Sequence, residues 1–410
     1  MGDLQQSAPA GSAWRRWPDM PERSALEVFL TFLKLGLTSF GGPIAHLGYF
    51  REEFVVRRHW IDDATYADLI ALCQLLPGPS SSQVGFSLGL IRARSWGALA
   101  AWAGFTLPSA ALMTALAYGA GELTSPVGSG VVHGLKLVAV AIVAQAVCGM
   151  YRTHCPDRTR ASLACASAII ILLVNSWFAQ IGVILFGGVA GFWLCRPSAA
   201  VAARPLAVPV SRRGGLLALG MFFSLLVMLP VLGTRFRAMA FFDACYRSGA
   251  LVFGGGHVVL PLLSQAIVSP GWMSLDRFLT GYGLAQALPG PLFAFAAYVG
   301  AISEPSPQGI AGAALAIAGI FLPGILLLLG TLPFWDDFRR HARAQAAMRG
   351  ISAAVVGLLA AALYSLLWVN SVKSPKDVAV ALIAFALLTT WRAPPLLVVV
   401  LGALAGTLLA

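Results

Sequence analysis

From residue 25 to the C-terminus the chain alternates between long apolar runs and short polar turns. Many of the runs approach the ~20 residues that a helix needs to cross the hydrocarbon core of a bilayer. They are continuously apolar and show no period of two. The pattern therefore predicts helices, which satisfy their backbone hydrogen bonds internally, and not the strands of a barrel. The expected segments run over 25–48 and 66–90, each interrupted by Gly and Pro, then over 96–120 and 132–151, then over two shorter stretches, 161–176 and 180–196. One further span covers 214–232, and a second set of six follows, making 13 apolar segments. The expected fold is an all-α polytopic membrane protein.

The second set exists because the chain repeats itself. Phe40-Gly41-Gly42 returns as Phe253-Gly254-Gly255, and Gln74-Leu75-Leu76-Pro77-Gly78-Pro79 returns as Gln286-Ala287-Leu288-Pro289-Gly290-Pro291, at offsets of 253 − 40 = 213 and 286 − 74 = 212. Trp60 with Trp272, Leu107-Pro108 with Leu322-Pro323, Gly134 with Gly350 and Trp177 with Trp391 hold the register between 212 and 216. The halves are 25–197 and 233–410, joined by a linker and one connecting span within 198–232. An even number of segments plus one connecting crossing turns the second half over, so inverted-topology halves are expected. The basic residues of the loops favour broken segments that re-enter over ones that cross. Residues 1–24 are polar, carry Trp14, Arg15, Arg16, Trp17 and Arg23, and lack a leader pattern, so a cytoplasmic N-terminus is expected.

Composition supports this class. Hydrophobic residues make up 58% and charged residues 11%, where a soluble domain carries about 25% charged residues. The net charge of +11 sits in short loops, as the excess of cytoplasmic cations in membrane proteins explains, and nucleic acid is not an expected partner. The cysteines at 73, 148, 155, 165, 195 and 245 form no Cys-x-x-Cys pair. Cys148, His154 and Cys155 lie close in sequence, but no second cluster completes a ligand set, so no metal or cofactor is expected. Neither a Walker-type phosphate loop nor His-Glu-x-x-His is present, so ATP-driven transport and metalloprotease chemistry are set aside, and the chain is not expected to be an enzyme.

Gly and Pro interrupt apolar segments at Gly41-Gly42-Pro43, Pro77-Gly78-Pro79, Gly254-Gly255-Gly256 and Pro289-Gly290-Pro291. Broken backbone at membrane depth is tolerated where it is buried or lines a cavity, and matching breaks in two halves point to a transporter's binding site. Free N–H groups and the positive ends of helix dipoles there suit an anion. Uncharged polar groups lie beside the breaks: Thr38, Ser39, Gln74, Ser80, Ser81, Ser82 and Gln83 in the first half, Ser248 and Gln286 in the second. Gln83 aligns with Phe295, so an asymmetric site is expected. Three cations fall within the apolar zone, Lys34, Lys136 and Arg247, where a charge is costly enough to make function the default reading. Lys34 and Arg247 correspond, 247 − 34 = 213, and are candidates to hold a dianion; pairing of Arg247 with Asp243, or of Lys34 with Glu27, is the alternative. His46 and His257 follow the Gly-rich breaks at different spacings, and both packing and proton handling stay open for them.

These paired motifs resemble the chromate ion transporters in their long form with two fused homologous domains. The likeness covers nearly the whole chain from residue 25 and rests on Phe40-Gly41-Gly42-Pro43 with Ala45-His46, the Gln74–Pro79 run followed by Gln83, the Phe253–Gly256 run with Pro261, and Gln286–Pro291. His257 departs from it, since an apolar residue is expected directly after the glycines. The resemblance implies chromate export across a bacterial inner membrane by a secondary mechanism using the proton-motive force, and with it chromate resistance. It also implies sulfate as a related substrate. A transporter of sulfate or another oxyanion, and a membrane-embedded enzyme or lipid-phosphate flippase, stay open as alternatives; the lipid bilayer is the expected surroundings, and a homodimer is an open question.

Overall fold

The computed structural model describes residues 25–119, 126–174, 176–195, 209–304, 307–339 and 341–409. The expected N-terminal segment 1–24 and residues 198–208 of the linker lie outside the described residues. Within them all regular structure is helical.

The first broken segment is α1 (Ala25–Thr38) followed by α2 (Gly42–Phe50), which winds on as a π-helical stretch over Arg51–Arg57. The chain reverses through Gly41 and Gly42, with φ of 99° and 75°, a region that a residue without a Cβ enters readily. Pro43 then starts α2, where a missing N–H costs nothing. The second broken segment is α3 (Asp63–Leu75), capped by the Asp62 side chain accepting from Thr65 N, then Leu76–Pro79 with Gly78 at φ 122°, then α4 (Ser80–Gly119). At Ala93 and Arg94, the latter with φ 53°, α4 folds back on itself. Its arms pack antiparallel, with Gly89 and Gly97 meeting backbone to backbone and Gly85 and Gly104 both against Phe32 of α1.

The ends of these segments decide between re-entry and crossing. Glu27, at the start of α1, pairs with Arg58 beyond α2 at 3.3 Å and with Arg92 at the end of the first arm of α4 at 3.7 Å. The Arg92 guanidinium lies over the Trp60 ring, 4.8 Å from its centroid. Both broken segments therefore begin and end in one cluster, and each doubles back. The second half repeats this: Trp272 O accepts from Glu304 N at 3.0 Å, and Trp272 and Glu304 stand 212 residues after Trp60 and Arg92. Re-entrant hairpins, as the loop charges favoured, are what the chain forms.

The first half continues with α5 (Pro126–His154), α6 (Arg158–Leu173) and α7 (Trp177–Leu194), and α8 (Arg212–Gly233) connects the halves. The second half has α9 (Arg237–Ala250), α10 (Val259–Ile267), α11 (Leu275–Ala285), α12 (Phe295–Ile302), α13 (Gly309–Thr331), α14 (Ala342–Ala362), α15 (Pro375–Thr389) and α16 (Pro395–Leu409). The helices over Ser80–Gly119, Gly128–His154, Arg212–Gly233, Gly309–Phe338 and Ala342–Ser371 are long and apolar enough to cross a membrane.

Small residues organise the packing, as expected where lipid removes the hydrophobic drive between helices. Each half closes on the other. On α5, Gly134 and Gly130 meet Gly402 and Gly406 of α16; on α14, Gly350 and Ala346 meet Gly187 and Gly191 of α7. These contacts map onto each other under the 215–216 residue offsets, since 350 − 134 = 216 and 402 − 187 = 215. The result is a pseudo-two-fold arrangement with exchanged terminal helices, and the largest buried apolar cluster draws on both halves.

Candidate functional site

The four breaks meet between the halves. Gly290 N donates to Ser39 O at 2.9 Å, and Gly78 N donates to Val252 O at 2.7 Å. Ser39 and Val252 are the residues just before the two Phe-Gly-Gly runs, so one bond is made twice, each time from the Pro-Gly-Pro loop of one half to the Gly-rich turn of the other. Side chains are excluded at both glycines. A Cβ at Gly78 would sit 2.9 Å from Gln83 Nε2, and one at Gly290 would sit 2.7 Å from Ser109 Oγ. Both also have positive φ, 122° and 92°. The flanking Pro77, Pro79, Pro289 and Pro291 keep helix from extending through the loops.

The two sides of this junction differ in chemistry. On the first-half side Ser39, His46, Ser81, Ser82, Gln83, Thr106 and Ser109 are all buried. His46 Nδ1 lies 3.4 Å from Ser81 Oγ, and Gln83 Nε2 donates to Pro77 O at 3.0 Å and to Gly324 O at 2.9 Å. The hydroxyls of Ser39, Ser82 and Thr106, Nε2 of His46 and Oε1 of Gln83 are buried without a hydrogen-bond partner. Buried polar atoms are ordinarily paired, so such a concentration marks a place prepared for something polar. At the second-half positions corresponding to all of these but Ser109 stand Val252, Val259, Phe293, Ala294, Phe295 and Phe321, all buried and apolar, and Gly324 corresponds to Ser109. The expected asymmetry is thus larger than the exchange of Gln83 for Phe295.

A small cavity of about 60 Å³ adjoins this nest, lined by Gly41 and Gly42 on one side and by Gln286, Leu288 and Gly290 on the other. Gln145 of α5 and His257 complete its polar wall, and Leu388 and Pro395 flank it. His257 Nδ1 is 2.8 Å from Tyr282 Oη, and Gln145 Nε2 donates to Leu388 O at 3.1 Å. At the other end of α11 a larger cavity of about 330 Å³ is lined by Tyr118, Arg277, Glu304 and Gln308.

The structure thus brings together Ser39, Gly41, Gly42, Pro77, Gly78, Pro79, Gln83, Gln286, Pro289, Gly290 and Pro291. Gly254 and Gly255 lie on the far side of the junction, facing Met150 of α5, with His154 also beside Gly254. The remaining candidates take other places. Lys34 is exposed on α1, and Thr38, also exposed, donates to its carbonyl at 2.8 Å. Gln74 is exposed. Lys136 binds Asp276 at 2.6 Å, and Arg247 binds Asp243 and Leu226 O, both at 2.8 Å, tying α9 to the connecting helix α8. None of the three cations lines the cavity. Sequence reasoning passed over Thr106, Ser109, Gln145 and Tyr282. Thr106 and Ser109 flank the repeated Leu107-Pro108 pair, a signal that was available; Gln145 and Tyr282 sit in ordinary helical runs that carry none.

The family pattern described as chromate transporter matches residues 26–192 and 239–407, the two halves in turn. The chain belongs to the chromate transporter family. The transporter is 28% identical to a chromate transport protein of Pseudomonas aeruginosa over 87% of this chain and 84% of the relative. It is 27% identical to a chromate transport protein of Cupriavidus metallidurans, over 91% and 90%. An uncharacterized transporter of Methanocaldococcus jannaschii is also 27% identical, over 82% and 83%. No solved structure matches the transporter.

Proposed function

We propose that this protein carries chromate out of the cytoplasm across a bacterial inner membrane, with sulfate as a competing tetrahedral dianion. The observation that carries the reading is the meeting of four backbone breaks beside a one-sided nest of unpartnered hydroxyl and imidazole groups. Backbone N–H and hydroxyl donors match an oxyanion's four acceptor oxygens. The absence of a lysine or arginine among the cavity's lining residues keeps binding weak enough for release, which conduction requires.

With the N-terminus inside, the cluster of Arg51, Arg57, Arg58 and Arg92 at the base of the first-half hairpins is cytoplasmic, in line with the positive-inside rule. The second arm of α4 then crosses outward and α5 returns, so the His154 end of α5 faces the cytoplasm. The cavity lies beside the turn between α15 and α16, toward that same end, and loads from inside; the cavity at Arg277 and Glu304 faces outward. A dianion leaving a cell that is negative inside gains about 4.6 kcal/mol per 100 mV, twice the ~2.3 kcal/mol of one charge, so the potential suffices to drive export.

Everted vesicles containing the protein are expected to take up labelled chromate when an interior-positive potential is imposed, and to lose that uptake with an uncoupler or excess sulfate. Absence of uptake under the imposed potential would falsify the export reading.

A further inference from the structure

We propose that His257 is the proton-linked anion contact of the cavity, so that this chain binds chromate together with a proton; the inference rests on the oxyanion-transport reading above. Among the described residues, His257 is the one ionisable side chain that lines the cavity. Its position immediately follows the Gly254-Gly255-Gly256 turn, whose Gly256 packs against Pro43 of the first-half break and Leu292. The imidazole is therefore fixed at the junction of the halves, between the two loops that exchange hydrogen bonds.

The geometry gives the two ring nitrogens different tasks. Nδ1 is engaged with Tyr282 Oη at 2.8 Å, and when the ring is protonated Nδ1–H donates to that oxygen. Nε2–H is then left for an oxyanion in the cavity, and the ring carries the positive charge that Lys34, Lys136 and Arg247 do not bring there. A lone cation in an apolar wall is costly, and an anion beside it removes that cost, so protonation and anion binding favour each other reciprocally.

The other described residues that line the cavity with His257 carry no ionisable side chain. Gly41 and Gly42 face it from the first-half break, Ile142 and Gln145 from α5, Gln286, Leu288, Gly290 and Leu292 from the second Pro-Gly-Pro loop, and Leu388 and Pro395 from the turn after α15. Tyr282 of α11 is its direct partner, and His154 stands across the turn beside Gly254. The two arginines of α14, which also packs on this turn, lie toward α7, Arg343 over Phe192 and Arg349 near Cys195.

Chromate binding to the purified full chain is to be measured between about pH 6 and 8.5 for the wild type and His257→Gln. Chromate itself takes up a proton in this range, so the difference between the two proteins is the readout. Wild-type affinity relative to His257→Gln is expected to fall by up to ~10-fold per pH unit as pH rises, the slope of one linked proton. A constant ratio with both proteins binding overturns the proposal while leaving oxyanion transport standing. Failure of the wild type to bind chromate at any pH overturns the transport reading and this inference with it. Should His257→Gln not fold, proton uptake by the wild type on binding sulfate at pH 8, an anion that takes up no proton in this range, from heats measured in buffers of different ionisation enthalpy, replaces it. A net uptake supports the proposal, and none overturns it.

Discussion

Gly78 and Gly290 show how much a single position controls. Each needs a positive φ, leaves no room for a Cβ, and supplies the N–H that joins the halves. Gly78→Ala and Gly290→Ala are each expected to cost about 1–3 kcal/mol in backbone strain alone and to abolish most chromate uptake, measured in everted vesicles beside thermal unfolding in detergent. Gln83 is a brace between α4 and α13, since its amide serves the carbonyls of Pro77 and Gly324. Gln83→Leu leaves both without that donor, at about 1–3 kcal/mol for each carbonyl left unsatisfied, and should lower the unfolding temperature as well as uptake. Lys34 gives the opposite forecast. It is exposed on α1, so Lys34→Gln is expected to keep uptake within about twofold, the scale of ordinary surface substitutions.

At the level of elements, the hairpins depend on their bases as much as on their tips. Glu53 holds Arg58 at 2.6 Å and Arg57 at 3.0 Å in the cluster that closes the first hairpins. Burial pushes the Glu53 carboxyl up, but the Arg58 hydrogen bond and the charges of Arg58 and Arg57 outweigh it, and the carboxyl is held below its usual range. A depressed native value means that the stabilisation is present above the unfolded value of about 4.3 and is lost as pH falls through the native one. Glu53→Gln should therefore lower the unfolding temperature at neutral pH and lessen its decline on acidification below about pH 5. The fold-back of α4 carries a different cost, because Arg94 has φ 53° and ψ −147°, a region nearly reserved for glycine. Arg94→Gly is expected to raise stability by about 1 kcal/mol, seen as a higher unfolding temperature with uptake retained.

For the whole molecule, the exchange of terminal helices makes the halves interdependent. The first half's α7 is seated on α14, and the second half's α16 on α5, through glycine backbones that touch. A valine at Gly134 or at Gly350 meets backbone across the interface with no flexible side chain to yield. Each substitution is expected to destabilise both halves together, read as loss of the folded monodisperse protein after extraction. The same exchange explains why the site is built from both halves: every Pro-Gly-Pro loop finds its acceptor in the other half.

Much of this was legible in the residues themselves. Continuous apolar runs dictate helices in lipid, because no water is there to satisfy backbone groups. The 213-residue offset between Phe-Gly-Gly runs, 253 − 40, exposes two halves, and Gly and Pro mark the breaks because few other residues tolerate such backbone. What the sequence left open was partnership. The value of a charge depends on what lies across from it: Arg247 corresponds to Lys34 in register, yet packing gives it Asp243 and a carbonyl of the connecting helix. The loop between Gln286 and Pro291 serves the first half because two chain segments over 200 residues apart, 290 − 39 = 251, are brought within hydrogen-bond reach. Local pattern determines where a chain must break; only the tertiary structure decides which broken ends meet, since that follows from the packing of surfaces remote in sequence.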